Sequence, residues 1–365
     1  MGVGGDPAEA RRGHGRPPGH RVPSPVPGRR KSGDSRMTPR ERFHAVMNFQ
    51  PVDRLPAMEW LCWWDKTLER WRGEGLPADL NREGVLRWYG LDVHERLWST
   101  PRWRFPRLPL RPRSQGVIDS EADYERLVAP ALAERSLKLE PLRGMAARQA
   151  AGEVIVELQV DGFFWFPREV FGVEPHLYAF YDQPELMLRI NEALCEYNLA
   201  MLETVCGVLT PDVLCFAEDL SYNHGPMLSR EQFDRFLAPF YRRIVPRAKE
   251  RGILTMVDTD GDMTEAVPWF QSVGIEGCLP LERMAGVDVA ELRRRYPKWR
   301  MIGGYDKTRT HLGEPAVRAE LERLLPVMRT GGYIPSTDHQ TPPDVGVQGF
   351  REYVRLLHEY CRKAV

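Results

Sequence analysis

Apolar residues along this chain fall in short runs, separated by longer stretches in which they recur every three or four positions. That alternation is expected of β/α units rather than of a sandwich. The runs predict strands at Leu55–Trp60, Leu91–Trp98, Glu153–Val160, Val213–Glu218, Ile253–Asp258, Ile275–Leu281, Arg300–Gly304 and Tyr333–Thr337, with Leu91–Trp98 the weakest. The stretches of helical period include Gln183–Val205, Ser229–Arg251, Met263–Val273, Val289–Tyr296, Pro315–Arg329 and Val347–Arg362. Turn signals at Arg251-Gly252, Val273-Gly274 and Gly331-Gly332 punctuate the joins. Eight strands with interleaved helices predict a single-domain α/β fold, a closed (β/α)8 TIM barrel. Such barrels typically take about 250 residues. The excess falls in a helical, tryptophan-bearing insertion at 61–90 and in an Arg- and Pro-containing excursion at 99–150, placed to cover the barrel mouth.

Ahead of the first strand, Thr38 is a good N-cap, Pro39 suits the first helical position, and Glu41 stands where a capping box needs it. Residues 1–36 are rich in Gly, Pro and Arg, carry eight Lys or Arg against three Asp or Glu, and have no apolar periodicity. They are expected to be a disordered basic tail, leaving 37–365 as the folded barrel.

Charge and composition narrow the partners. Fifty-one basic residues balance fifty-one acidic ones, so no global field holds a nucleic acid or an anionic membrane. No apolar run approaches the roughly 20 residues of a membrane helix. The start lacks the apolar core of a signal peptide, which places the protein in the cytoplasm. A small-molecule substrate is the expected partner. The cysteines at 62, 195, 206, 215, 278 and 361 stand singly in apolar surroundings, without a CxxC pair, and read as buried free thiols.

In a barrel the reacting groups come from the C-terminal ends of the strands. Those ends deliver Glu59, Asp161, Glu218-Asp219, Asp258-Thr-Asp260-Gly261, Glu282, Asp306-Lys307 and Asp338-His339. Any one acid is accounted for by a solvated rim or a helix N-cap; the uniformity of the set points to chemistry. Asp258 and Asp260, two apart, share one face of an extended strand with Cα atoms about 6.5–7 Å from each other. Carboxylates so placed share either a cation or a proton, the latter serving general acid or base catalysis. His339 reads as a base or ligand, or as a residue satisfying a backbone carbonyl. The run Phe163–Pro167, with Trp165, and the nearby Trp60, Trp63 and Trp64 supply core or an apolar wall for a flat ligand. There is no P-loop, HExxH, G-x-S-x-G or dinucleotide fingerprint, which removes nucleotide and serine-hydrolase chemistry.

Several of these stretches belong to a larger pattern. Met37-Thr-Pro-Arg-Glu-Arg-Phe43, Pro51-Val-Asp-Arg-Leu-Pro56, the block Ser229–Pro239, Asp258-Thr-Asp-Gly-Asp262, Pro280-Leu-Glu282, Gly303-Gly-Tyr-Asp-Lys307, Gly331-Gly-Tyr-Ile-Pro335, Asp338-His339 and Pro342-Pro-Asp344 occur in that order. Together they resemble the uroporphyrinogen decarboxylase superfamily, from Met37 to the C-terminus. The resemblance implies a single-domain (β/α)8 barrel and, by analogy with the decarboxylases, a homodimer. Those decarboxylases remove carbon dioxide from the acetate groups of a porphyrinogen without metal or cofactor, gripping it with arginines after strand one and an aspartate after strand two. Here Glu59-Trp-Leu-Cys-Trp-Trp64 replaces the arginine-rich motif, and His339 alone matches a decarboxylase site residue. The corrinoid-dependent methyltransferases hold zinc with an H-x-C motif after strand five and a cysteine near strand eight. Asp258-Thr-Asp260 stands in the place of H-x-C, and Asp338-His339 near the last cysteine.

The resulting expectation is a methyltransferase-like enzyme in which Asp258, Asp260 and His339 are catalytic and bind a divalent metal, zinc or harder. Glu59, Glu218, Asp219, Glu282, Lys307 and Trp165 are expected to bind substrate. A corrinoid is a candidate methyl donor, and since this sequence has no D-x-H-x-x-G signature of its own, docking of a separate corrinoid protein is left open. Two alternatives stand beside it. One is cofactor-free decarboxylation of a porphyrinogen or smaller acid, with His339 as proton donor and Asp260 polarising the substrate; the other is a non-enzymatic corrinoid-binding barrel.

Overall fold

The structure, a computed structural model, describes residues 37–61, 63–105 and 116–365. The tail expected over 1–36, Cys62 and the middle of the 99–150 excursion lie outside the described residues. The folded chain opens as its sequence predicts: Thr38 Oγ1 accepts from the Glu41 N–H at 3.2 Å, and Glu41 Oε2 accepts from the Thr38 N–H at 2.7 Å. This reciprocal cap fixes the start of helix Pro39–Met47.

Seven strands form one parallel sheet in sequential order: β1 (Val93–Ser99), β2 (Val154–Asp161), β3 (Val213–Ala217), β4 (Leu254–Asp258), β5 (Gly277–Leu279), β6 (Arg300–Tyr305) and β7 (Tyr333–Thr337). This is a TIM-like α/β fold with a curled sheet, not the closed eight-stranded barrel expected. The missing strand is Leu55–Trp60, which is extended but forms no ladder. Its hydrogen bonds go elsewhere. Asp92 N–H donates to Ala57 O at 2.8 Å, while Ala57 N–H and Trp60 N–H donate to side chains, Asp92 Oδ2 at 3.0 Å and Ser336 Oγ at 3.1 Å. Pro56 has no N–H to give. The segment is therefore tied toward both sheet edges largely by side chains. The weak run at Leu91–Trp98, by contrast, is a full strand paired with β2 along its length.

The helices fall close to their expected places, with two differences. Ser229–Arg251 divides into Arg230–Phe236 and Ala238–Lys249, because Pro239 in the first turn of the second cannot continue the first helix's hydrogen bonding. Met263–Val273 shortens to a 3₁₀ turn and Val267–Ser272. The 61–90 insertion forms helices Asp65–Gly73 and Arg82–Tyr89, and Trp71 Nε1 donates to Val345 O at 2.8 Å, pinning the insertion to the C-terminal part of the chain. Among the described residues no helix is long and apolar enough to cross a membrane.

All of β2 is buried, yet it alternates Glu157, Gln159 and Asp161 with Leu158 and Val160. Period two puts those three on one face. The register sets Arg96 of β1 beside Glu157, Gln159 beside Cys215 of β3, and Ala217 beside Asp258 of β4. One face of the sheet is thus polar and leads to the strand ends. Cys195, Cys215, Cys278 and Cys361 are buried free thiols, as expected, and Cys206 is partly buried. Burial pushes Cys195, Cys278 and Cys361 up to about 12, which leaves them inert at neutral pH.

Candidate active site

The acids at the strand ends divide into those consumed by the protein's own N–H groups and those left to face one another. Glu218 belongs to the first kind. Its carboxylate accepts from the N–H groups of Phe163 at 2.8 Å, Phe164 at 2.7 Å and Trp165 at 3.2 Å, and from the Tyr241 hydroxyl. These N–H groups open helix Trp165–Phe171, so Glu218 caps it from another strand. The fit needs a glycine at 162, where a Cβ would lie 2.2 Å from Glu218 Cδ. Burial nonetheless pushes the Glu218 carboxyl up to about 7. Glu59 is likewise fully buried and accepts from Ser336 Oγ, Thr337 N and Oγ1, and Tyr353 OH. Expected to touch substrate, both carboxylates already accept from the protein's own donors at every oxygen. Asp306 caps its own turn through Thr308 N at 3.0 Å, and Asp338 accepts from Arg283 N at 2.9 Å and Lys307 N at 3.1 Å.

The second kind converges. One ligand atom each of Asp260, Glu282 and His339 lies within 4.8 Å of the others, and His339 Nε2 stands 3.6 Å from Asp260 Oδ2. The structure thus unites Asp260 and His339 as expected, with Glu282 rather than Asp258 as the third member. Asp258 ends β4 one layer deeper, where Gln159 Nε2 donates to its Oδ2 at 3.2 Å. Desolvation, reinforced by Asp219 and Asp260, holds the Asp258 carboxyl well above the usual carboxylate range. Asp219 joins the group through Oδ1, which accepts from Asp260 N–H at 3.4 Å. Burial, with the Asp260 charge behind it, pushes Asp219 up to about 7. Glu282 is raised too, by burial and then Asp260, and Gly261 N–H donates to its Oε2 at 3.0 Å. The Asp260 carboxylate beside it raises the His339 imidazole. Lys307 Nζ lies 3.9 Å from Glu282 Oε1 and 3.5 Å from Asp338 Oδ1.

Backbone geometry marks the same place. Of three non-glycine residues with positive φ among the described residues, two, Asp219 (41°) and Leu281 (67°), flank this cluster.

Around the acids stand cations that the reading of strand ends missed. Arg96 pairs with Glu157 at 3.1 Å, and Arg102 with Asp161 at 3.1 Å and Glu169 at 3.0 Å. The Arg102 guanidinium lies 5.7 Å from the Trp98 ring and 5.4 Å from the Trp165 ring, and that of Arg168 lies 5.0 Å from Trp165. Trp165 is therefore a platform for guanidinium groups and not a bare apolar wall. The available signal was the alternation His94-x-Arg96-x-Trp98 against Glu157-x-Gln159-x-Asp161.

The family model for uroporphyrinogen decarboxylase (URO-D) matches residues 116–360, which span β2 to β7 and the whole acidic cluster. The chain belongs to the uroporphyrinogen decarboxylase family. A methyltransferase from Methanosarcina mazei has the same fold at 15% sequence identity, with a TM-score of 0.59, over 89% of this chain and 99% of that one. No curated protein matches the chain in sequence.

The zinc implied by resemblance to the family's methyltransferases can be tested against this donor set. Two carboxylates and one imidazole within 4.8 Å fit a divalent ion, with oxygen and nitrogen in place of thiolates, a set suited to zinc or a harder metal. Burial first, and then repulsion from Asp260, raises the Glu282 carboxyl, and a positive charge between the two carboxylates would offset both.

Proposed function

We propose that this protein is a metal-dependent transferase of the methyltransferase branch of its family, with the ion held by Asp260, Glu282 and His339. The observation that carries this reading is the convergence of those three ligand atoms within 4.8 Å at the strand ends. When bound, the ion supplies a Lewis acid that lowers the pKa of an acceptor thiol. Gly261 N–H, donating to Glu282 Oε2 at 3.0 Å, orients one ligand, and Asp219 fixes the Asp260 main chain. Lys307 balances charge behind Glu282. In this reading the methyl donor is a corrinoid brought by a separate corrinoid protein, and the enzyme works as a homodimer.

Elemental analysis of the purified protein, with Zn²⁺ and Co²⁺ titrations, tests the site. About one ion per chain is expected, and Asp260→Asn, Glu282→Gln and His339→Ala should each weaken binding by about 10-fold or more. Asp258→Asn should bind like wild type. Equal metal affinity in all three ligand variants would remove the site.

One observation favours a second reading, metal-free decarboxylation of a porphyrinogen or smaller acid. Asp260 beside His339 raises the imidazole and so favours its protonated form, the form a proton donor needs. A metal-free preparation that consumes uroporphyrinogen would establish it over methyl transfer.

A further inference from the structure

The cations near the cluster are mostly engaged. Arg96 is held by Glu157, Arg102 by Asp161 and Glu169, and Lys307 by Asp338 and Glu282. Arg168 differs. It makes no ion pair among the described residues, and its hydrogen bond runs from Nη1 to the main-chain oxygen of Asp219 at 3.3 Å. Its Nε is shielded from solvent and has no acceptor, and the Nε1 of Trp165, whose ring lies 5.0 Å from the same guanidinium, is also buried without one. Leaving such donors unsatisfied costs about 1–3 kcal/mol each, more for a charged group. A ligand that accepts from both removes that cost.

We infer that Arg168 and Trp165 form the subsite for a carboxylate on the substrate. With Nη1 turned to Asp219, the fork left over is Nε with Nη2, the planar pair that matches two carboxylate oxygens. Position supports the same conclusion. Asp219 links Arg168 to Asp260, so a carboxylate on Arg168 places the rest of a small molecule beside the Asp260–Glu282–His339 cluster. The nearby acids restrict the ligand to a low charge: a phosphate dianion beside Asp219 and Asp260 is repelled more than a carboxylate monoanion. This inference rests on the reading of that cluster as the reaction centre, but the subsite itself is tested by binding alone.

The probes are benzoate, its neutral isostere benzamide and inorganic phosphate, titrated at millimolar concentration into the full chain by calorimetry or ligand-observed NMR. Benzoate is expected to bind at least about 10-fold more tightly than benzamide or phosphate, because only it completes the planar charged fork. Arg168→Gln should abolish the preference, and Arg168→Lys, which keeps the charge without the fork, should weaken benzoate by about 10-fold. Arg168→Lys, which keeps the positive charge, should also keep wild-type Zn²⁺ affinity, which separates loss of this subsite from loss of the metal site. Wild-type protein that binds benzamide or phosphate as well as benzoate, or binds no benzoate, overturns the inference. So does benzoate affinity unchanged in Arg168→Lys and Arg168→Gln.

Discussion

His176 offers a direct test of how the interior treats charge. It sits fully buried in helix Val173–Asp182 with its ring 4.6 Å from that of Phe164 and 5.0 Å from that of Phe180, and neither ring nitrogen has a partner among the described residues. Burial, aided by the Arg168 charge, pushes the imidazole down to about 3 from an ordinary 6.5. Between those values the unfolded chain binds a proton that the folded chain refuses. Stability therefore falls as pH drops below about 6.5, by about 1.4 kcal/mol per unit, and the loss stops near pH 3. From pH 6.5 to 5 the loss amounts to about 2 kcal/mol. His176→Phe removes the titrating group and keeps an aromatic ring among aromatic neighbours, at a packing cost of about 1–3 kcal/mol that does not vary with pH. His94, buried and held down to about 4, adds its own acid-side loss to both proteins and cancels in the difference. Urea unfolding followed by circular dichroism at pH 5, 6, 7 and 8 reads the effect. The variant's stability should fall about 2 kcal/mol less than wild type between pH 6.5 and 5. Parallel curves for the two proteins would show that His176 is hydrated or partnered when folded, and the reasoning from burial would fail.

The buried carboxylates give two further tests. Glu218→Gln turns an amide NH₂ toward two of the four donors and should cost about 1–3 kcal/mol in urea unfolding while leaving Zn²⁺ affinity unchanged; weaker metal binding at full stability would return Glu218 to the functional site. Glu59→Gln meets the same conflict against Ser336, Thr337 and Tyr353 and should lower stability by a similar amount, about 1–3 kcal/mol, loosening Leu55–Trp60 from β7. Amide exchange of Thr337, whose N–H donates to Glu59, reports that loosening, and unchanged protection would count against the tie.

What the sequence disclosed and what it hid follow from the range of the interactions involved. The Thr38 cap, the ends of helix Val347–Lys363 and the strand positions depend on neighbours a few residues away, and these were legible. Leu55–Trp60 carries the apolar pattern of a strand, but its fate was decided by Asp92 and Ser336, 35 and 276 residues from their respective main-chain partners Ala57 and Trp60, a relation no local pattern encodes. The strand-end acids looked alike because a carboxylate's role depends on whether distant N–H groups reach it. Those of Phe163–Trp165 reach Glu218, whereas Asp260 keeps an oxygen for His339. Arg168 was invisible for a related reason: its significance is an Nε left without an acceptor among the described residues, which exists only in three dimensions.

The electrostatics of the cluster connect the two ligands argued for above. The chain as a whole carries no net charge, yet Asp219, Asp258, Asp260 and Glu282 gather at one end of the sheet while two nearby arginines, Arg96 and Arg102, are neutralised by Glu157 and Asp161. Carboxylate oxygens within 4.8 Å repel by about 3 kcal/mol or more at an effective dielectric near 20. His339, when protonated, would supply one positive charge against that repulsion; a divalent ion held by Asp260, Glu282 and His339 would supply two. Once the ion offsets Asp260 and Glu282, a substrate anion at Arg168 no longer faces the full charge of the cluster, so each ligand favours the other. Zn²⁺ should accordingly tighten benzoate binding in wild-type protein, and by linkage benzoate should tighten Zn²⁺ by the same factor. Independent binding of the two would mean that Arg168 and the Asp260 cluster do not sense a common field.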